Sequence, residues 1–288
     1  MIVVLTGPTA SGKSSLGLEL AKRHNMEIVN ADAFQVYEGL KIVTAAPSLE
    51  DMSSVPHHLY GHVHLNESYE ISRYQKEARK VIEDILSRGA TPLFIGGSGL
   101  YIRSALYDYN LGELKQKVDL APYETFSEDD LHKVLEQLDP QEANKIHPHN
   151  RVRVLRAIEV CLGSGESKTA LLARQEKKPI FETRFFSLTP ERDEVYKKVN
   201  ERVEKMFADG LLEEVRPLVE KYGRDVSAFR AIGVKELFPY FDGKISLEEA
   251  KESIKLATRH YVKRQNTFFT HQFDCFDVTS LQEIEDLL

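Results

Sequence analysis

The chain reads Gly7-Pro8-Thr9-Ala10-Ser11-Gly12-Lys13-Ser14 at residues 7–14, a complete phosphate-binding loop of the form G-x-x-x-x-G-K-[ST]. A short apolar run, Ile2 to Leu5, precedes the loop, and a helical pattern from Ser14 to Arg23 follows it. The pattern requires this strand, loop and helix context. Glycines let successive backbone N–H groups turn towards one phosphate, and the helix presents its positive end. The loop therefore predicts a bound di- or triphosphate, with Lys13 as a point charge and the Ser14 hydroxyl as a Mg²⁺ ligand.

Apolar runs alternate with helical patterns over the first hundred residues. The runs are Ile2–Leu5, Glu27–Asn30 and Pro92–Ile95, and a helix with regularly spaced apolar positions is predicted at Ser72–Ser87. Such alternation is typical of a parallel sheet flanked by helices, with its ligand at the carboxyl ends of the strands. We therefore expect three turns to meet in one crevice: the phosphate loop, Asn30-Ala31-Asp32 and Gly96-Gly97-Ser98-Gly99.

Helical patterns dominate after about Leu106. They are predicted at Ser127–Leu138, Arg151–Leu162, Glu191–Ala208, Leu211–Lys221 and Ser246–Thr270, and Thr183–Leu188 is predicted as a further core strand. We predict an α/β fold similar to the P-loop NTPases. Residues 1–108 and 145–288 would form its core, and residues 109–144 a small helical insertion.

Composition narrows the class of protein. The 288 residues are 42 % hydrophobic and 29 % charged, as in ordinary soluble domains. No apolar run approaches the roughly 20 residues that span a bilayer, and the N-terminal run leads straight into the loop without a signal-peptide pattern. The two cysteines are too few for a disulfide framework. We expect a cytoplasmic protein with no membrane partner.

The net charge of −7 conceals two basic segments. Residues 145–178 hold eight basic and three acidic side chains, a local balance of +5, and residues 255–272 hold four basic and no acidic ones. Two such segments on an acidic protein indicate a local polyanion site. Solvated helix faces would give similar counts.

Asp32 directly follows the second apolar run. A carboxylate beside a polyphosphate serves either as a magnesium ligand or as a general base. Gln35 lies nearby, and a glutamine amide can pair with an adenine edge. The third run ends in glycines, whereas ATP-using enzymes with this loop usually place an acidic residue there. The loop therefore favours a phosphorylated substrate other than ATP.

A series of motifs resembles the tRNA dimethylallyltransferase (IPP transferase) family in order and spacing and covers almost the whole chain. The motifs are Gly7–Ser14, Asp32–Leu40, Pro56–Leu59, Gly96–Tyr101, Ile146–Pro148, Arg151–Val160, Gly210–Val215, Ala231–Glu236 and Thr258–Gln265. The resemblance implies transfer of a dimethylallyl group from dimethylallyl diphosphate to N6 of adenosine 37, beside the anticodon of tRNAs that read codons beginning with U.

The resemblance also implies roles for individual residues. The loop would hold the diphosphate with Mg²⁺, Asp32 would accept the N6 proton, and Thr9, Lys13 and Arg202 would assist the leaving group. Contacts to the tRNA anticodon stem-loop are implied for Asp32, Ala33, Phe34, Gln35, Ser98, Arg153, Arg156, Arg230, Lys235, Arg264 and Gln265. The chain departs from the family pattern at Ala33 and Ala46, which replace a serine and a lysine. We expect it to act as a monomer without an obligate protein partner.

Three other functions share parts of this pattern. A free-nucleotide isopentenyltransferase has the same core motifs but needs no basic surface for tRNA. A small-molecule kinase would transfer phosphate from ATP. A nucleotide-switched RNA-binding protein would need no base at Asp32.

Overall fold

The computed structural model describes residues 1–109, 118–175 and 178–288. These residues form two compact units, Met1–Leu106 with Phe181–Leu288, and Tyr107–Ile180. The second of these is the helical unit. It extends further along the chain than the predicted insertion at residues 109–144. Within the predicted insertion, residues 110–117 lie outside the described residues, as does Lys177 of the first basic segment.

The larger unit contains one six-stranded sheet. Its strands are β1 (Ile2–Thr6), β2 (Met26–Asn30), β3 (His57–His58), β4 (Thr91–Ile95), β5 (Thr183–Leu188) and β6 (Phe276–Val278). The order is β3-β2-β4-β1-β5-β6, and every pairing is parallel. The predicted α/β class and the parallel sheet are confirmed. Since β2, β4 and β1 are neighbours, the three turns expected to meet do follow adjacent strand ends.

Fourteen helices occur in the described residues. They are α1 (Lys13–Arg23), α2 (Lys41–Thr44), α3 (Leu49–Ser54), α4 (Ile71–Ser87), α5 (Gly99–Leu106), α6 (Glu128–Leu138), α7 (Pro140–Ala143), α8 (Arg151–Ser164), α9 (Lys168–Ala173), α10 (Arg192–Ala208), α11 (Leu211–Tyr222), α12 (Phe238–Phe241), α13 (Leu247–Gln272) and α14 (Leu281–Leu287). Short 3₁₀ segments occur at Ala121–Tyr123, Ser227–Arg230 and Lys235–Leu237. No helix in the described parts of the chain is both long and apolar enough to cross a membrane.

The sheet core explains why these strands form. Every residue of β1 and β2 is buried, as expected for strands covered by helices on both faces. Leu5, Leu93 and Phe186 from three neighbouring strands share one apolar cluster with Leu20 of α1. This packing sets the carboxyl ends of the central strands side by side and so fixes the positions of the loops that follow them.

The helical unit has its own apolar core. Leu131 and Leu135 of α6 pack with Val154 and Ile158 of α8, and all four side chains are fully buried. The Arg151 guanidinium donates to the carbonyls of Tyr123, Glu124 and Phe126 and so holds the turn before α6.

Candidate active site

The phosphate loop has the backbone that its sequence predicts. Gly7 and Gly12 adopt φ values of 141° and 92°, which side-chain-bearing residues rarely adopt, and Gly12 caps the N-terminus of α1. The Lys13 ammonium donates to the Pro8 carbonyl at 3.1 Å and lies across the loop. The Ser11 hydroxyl is buried, and among the described residues no group bonds to it. An unpaired buried hydroxyl at a helix N-terminus fits an anionic ligand that supplies the missing partner.

A cationic cavity opens over the loop. Its lining residues are Ala10, Gly12, Lys13, Ser14, Ser15, Lys198, Glu201, Arg202 and Lys205. Four of these side chains are cationic and one is acidic, so the cavity attracts a polyanion. Lys198 and Lys205 were not predicted from the sequence. Their spacing around Arg202, four residues before and three after, places all three on one face of α10 and could have revealed them.

Burial lowers the pKa values of two cationic side chains in this cavity, Lys13 and Arg202. Desolvation, together with the nearby Arg202 guanidinium, lowers the pKa of Lys13 to about 8, against the opposing effect of Asp32. Desolvation also lowers the pKa of Arg202, again opposed by Asp32. Two cations held this close are costly to bury without an anion, which makes the cavity a strong site for a phosphorylated ligand.

Asp32 occupies a rigid turn after β2. Its carboxylate accepts a hydrogen bond from the Phe34 N–H at 2.9 Å. Asn30, which is fully buried, receives the Asp32 N–H on its Oδ1 at 2.8 Å and donates from Nδ2 to the carbonyls of Asp32 and Leu59. The turn is held from both sides, and therefore the carboxylate has a defined direction. Asn30 was not predicted as a site residue.

A second cavity, of about 200 Å³, contains this carboxylate. Its lining residues are Thr9, Asp32, Phe34, Val43, Thr44, Arg202, Val203, Met206, Arg230, Ala231, Ile232, Lys235, Ile254, Thr258, Tyr261 and Arg264. We call this second cavity the carboxylate chamber. Arg202 lines both cavities, so the carboxylate chamber adjoins the cationic cavity. Its apolar side chains come from α2, α10, α13 and the segments around Phe34 and Ala231. The polar groups converge from six separate segments, which is typical of a small-molecule site.

Thr9 links the phosphate loop to the two long helices. Arg202 of α10 donates from Nη1 to the Thr9 hydroxyl at 3.1 Å and from Nη2 to the Thr44 carbonyl at 3.4 Å. Because the Thr9 oxygen already accepts from a guanidinium, its own proton is available to another acceptor. The Thr9 N–H is bonded to Gln265 of α13, so this one amide does not point at a phosphate.

Two further predicted contact residues bind protein backbone. The Gln35 side chain donates from Nε2 to the carbonyls of Thr44 at 2.9 Å and Ala45 at 3.1 Å. The Ser98 hydroxyl accepts from the Ala33 N–H at 3.0 Å. In this structure both side chains hold the loops around the chamber, and their predicted contacts with a nucleotide remain predictions.

The glycine-rich turn after β4 is crowded by its neighbours. A methyl group at Gly96 would overlap the Ala31 carbonyl, one at Gly97 would overlap the Gln265 amide, and one at Gly99 would overlap the Phe268 ring. Backbone and α13 therefore occupy the space that side chains would need. A side chain at any of these three glycines would therefore require one of these neighbours to move.

The residues predicted to contact tRNA differ in their exposure. Arg230, Lys235 and Arg264 are exposed residues that line the carboxylate chamber. Gln265, in contrast, is only 4 % exposed and bonds to the Thr9 N–H and the Gly97 carbonyl. In this structure Gln265 is bonded inside the protein, because α13 turns this side towards the loops, and its predicted contact with tRNA remains a prediction.

The first basic segment lies mostly in the helical unit, and much of its charge is paired there. Arg156 bonds to Glu159, Lys168 to Glu142, and Arg174 to Glu166. Arg153 and Arg156 are exposed while Ile158 and Val160 are buried, as in an amphipathic helix. For Arg153 no hydrogen bond or ion pair of the guanidinium is found within the described ranges, which leaves it the best placed of these arginines to meet a phosphate.

Comparison with known proteins agrees with this geometry. The family model described as IPP transferase matches residues 35–272, and the one described as isopentenyl transferase matches residues 1–64. The chain is 43 % identical to the tRNA dimethylallyltransferase of Anoxybacillus flavithermus, over 96 % of this chain and 90 % of that protein. It is 39 % identical to the Bacillus subtilis tRNA dimethylallyltransferase, over 99 % and 93 %.

Solved structures are similar over nearly the full length. The tRNA isopentenylpyrophosphate transferase of Staphylococcus epidermidis superposes with a TM-score of 0.73 at 37 % identity, covering 99 % of this chain and 96 % of the other. A eukaryotic dimethylallyltransferase acting on tRNA superposes with a TM-score of 0.86 at 29 % identity, covering 99 % and 75 %. With a family model over most of its length and relatives near 40 % identity, the chain belongs to the tRNA dimethylallyltransferase (IPP transferase) family.

Proposed function

We propose that the chain transfers the dimethylallyl group of dimethylallyl diphosphate to N6 of adenosine 37 in tRNAs that read codons beginning with U, and releases diphosphate. One observation carries the proposal: a carboxylate chamber and a cationic cavity adjoin at Arg202. The cationic cavity suits the diphosphate, and the apolar chamber suits the prenyl group and the adenine that attacks it.

The chemical step needs one base and one anion site. The N6 lone pair forms a bond to C1 of the prenyl group while the bond from C1 to the bridging oxygen breaks. The electron pair of that bond leaves with the diphosphate, and the N6 proton passes to the Asp32 carboxylate. Asn30 and the Phe34 N–H hold this carboxylate in the chamber, so the base is oriented before the acceptor arrives.

The leaving group gains charge as the bond breaks. Lys13, Arg202 and the loop amides face that charge in a partly buried cavity, where electrostatic stabilisation is strongest. The Thr9 hydroxyl accepts from Arg202 and is therefore oriented to donate its proton to the bridging oxygen. These groups are charged or aligned beforehand and need little rearrangement during the step.

Mg²⁺ forms part of the proposal. Mg²⁺ usually takes one or two protein oxygens and completes its shell with water and substrate phosphates. The Ser14 hydroxyl at the start of α1 offers such an oxygen. Within the described ranges no three His, Cys, Asp or Glu side chains gather into a metal site. Ser14 and the diphosphate oxygens would hold the ion, which when bound adds positive charge against the leaving diphosphate.

The acceptor base must leave its stack to reach Asp32, as bases do in enzymes that modify them. Arg230, Lys235 and Arg264 at the chamber rim would bind the phosphates around the extruded adenosine. We further propose that the chain works in the cytoplasm as a monomer.

Mass spectrometry of tRNA incubated with the protein, dimethylallyl diphosphate and Mg²⁺ tests the function. A mass increase of one dimethylallyl group on adenosine 37 is expected. Alkylation of AMP but not tRNA would indicate a free-nucleotide enzyme instead. Phosphate transfer from ATP without alkylated adenosine would indicate a kinase.

The lowered pKa of Lys13 predicts how donor use depends on pH. Below about pH 8 the ammonium of the free protein is charged, and above that pH it loses its proton and its attraction for diphosphate. We expect kcat/KM for dimethylallyl diphosphate to fall as the pH rises through about 8. In Lys13→Arg, whose guanidinium stays charged, the fall near pH 8 should vanish even if overall activity is lower. A wild-type profile that is flat up to pH 9.5 would contradict the prediction.

Arg153 is predicted to bind tRNA phosphate. Arg153→Ala should weaken tRNA binding and make the slope of log K against log salt shallower by about one. At saturating tRNA the turnover number should not change, since this arginine belongs to the helical unit rather than the unit that holds Asp32.

Filter binding between 50 and 200 mM salt would measure the slope. Lys133→Ala, an exposed cation already paired with Asp130, is the control. An unchanged slope in Arg153→Ala would remove this residue from the tRNA surface.

A further inference from the structure

We infer that Gln265 is a positioning residue for the donor, which fixes the phosphate loop from helix α13, and that it is not a tRNA contact. The inference rests on the proposed function, because it names a residue that serves the prenyl transfer. Gln265 follows Arg264, which lines the chamber, yet its side chain points the other way and is buried.

The amide of Gln265 bridges two strand ends. Its Oε1 accepts from the Thr9 N–H at 2.9 Å, and its Nε2 donates to the Gly97 carbonyl at 3.0 Å. One group thereby ties the phosphate loop after β1 to the glycine-rich turn after β4. Only an amide of this length supplies an acceptor and a donor at once, whereas a methionine or leucine of similar volume supplies neither.

The bridge determines the position of the Thr9 hydroxyl. Thr9 is held through its N–H by α13 and through its Oγ1 by Arg202 of α10. If the N–H anchor is lost, the backbone of Thr9 is free to turn, and the hydroxyl no longer has a defined direction towards the bridging oxygen. A misplacement of about 1 Å in such a group can cost about 10²-fold in rate.

The crowding at Gly97 supports the same assignment. A methyl group at that position would overlap the Gln265 amide nitrogen, so the glycine and the glutamine are fitted to each other. Neighbouring Tyr261 also directs its hydroxyl at the Gly97 carbonyl, at 3.4 Å. Two side chains of helix α13 are therefore bonded to the Gly97 carbonyl.

The test is kinetic analysis of Gln265→Met in the full chain, together with the tRNA dissociation constant and calorimetric binding of inorganic diphosphate with Mg²⁺. We expect kcat to fall about 10²-fold and diphosphate to bind more weakly, with the tRNA dissociation constant unchanged. Unchanged tRNA binding also establishes that the variant is folded. Gln282→Met, the same substitution at an exposed site on helix α14 of the same unit, should behave as wild type.

A second variant keeps the inference testable if Gln265→Met is unstable. Gly97→Ala displaces the amide without changing it and should give the same donor defect. Because both act on one bridge, the double variant should be no worse than either single variant. Normal kcat and diphosphate binding combined with weak tRNA binding in Gln265→Met would overturn the inference and make this residue an acceptor contact. If the wild-type chain prenylates no tRNA, the proposed function itself fails. That outcome is distinct from failure of the inference, which is measured on the variants.

Discussion

Replacing Asp32 by asparagine is expected to lower the turnover number by about 10²-fold or more while tRNA affinity stays nearly unchanged. Asparagine keeps an oxygen for the Phe34 N–H, which bonds to Asp32 Oδ1 at 2.9 Å, so the turn should survive. What is lost is the group that accepts the N6 proton as the new bond forms. Single-turnover assays with saturating dimethylallyl diphosphate would measure the chemical step directly.

The matched control is Asp225→Asn, an exposed acid on a loop of the same unit, which should retain wild-type turnover. Turnover within a few fold of wild type in Asp32→Asn would show that another group takes the proton. It would also favour the alternative function, a nucleotide-switched RNA-binding protein, for which the carboxylate is dispensable.

Removing the Lys13 ammonium is expected to have an effect of similar size on the donor side. Lys13→Ala deletes the loop's own cation, whose charge is weakly screened because its ammonium is buried. Removing one preorganised donor to a developing negative charge costs about 10² to 10³ in rate. We expect kcat/KM for dimethylallyl diphosphate to fall by that amount, and diphosphate to become a weaker product inhibitor.

Lys22→Ala, an exposed lysine on the last turn of the same helix α1, should leave both quantities unchanged. If Lys13→Ala instead weakened tRNA binding and preserved the donor constants, the assignment of the loop to the diphosphate would be wrong. The tRNA dissociation constant measured in the absence of donor separates the two effects.

Most of the sheet could be predicted from the sequence because its central strands are short, mostly apolar runs. The strand Thr183–Leu188 has the predicted bounds, and the predicted runs of β1, β2 and β4 are one residue short. The strands β3 and β6 were missed. Each has two or three residues at an edge of the sheet, and the pairing that defines them comes from tertiary contacts rather than from a local pattern.

The site was predictable where chemistry and backbone geometry coincide. The loop and Asp32 follow strand ends, and topology alone brings such ends together. Asn30 escaped prediction, and Gln265 was predicted only as a tRNA contact, because a buried amide has no distinctive spacing and partners such as Leu59 and Thr9 lie far away in sequence. Lys198 and Lys205 were detectable from their helical spacing about Arg202, but solvated lysines give the same pattern.

The crowded turn after β4 has a consequence for protein engineering. Redesign of this scaffold as an ATP-dependent phosphotransferase would start by adding an acidic side chain at the end of β4 to bind a nucleotide-bound metal. Gly96 and Gly97 admit no side chain while Ala31 and Gln265 stay where they are. An acid at position 96 would first require the Ala31 turn to move, and one at position 97 would displace the Gln265 side chain from its bridge. A single acidic substitution here would disturb either the turn that leads to Asp32 or the Gln265 bridge, so variants selected for kinase activity should pair an acid at position 96 or 97 with a change at Ala31 or Gln265.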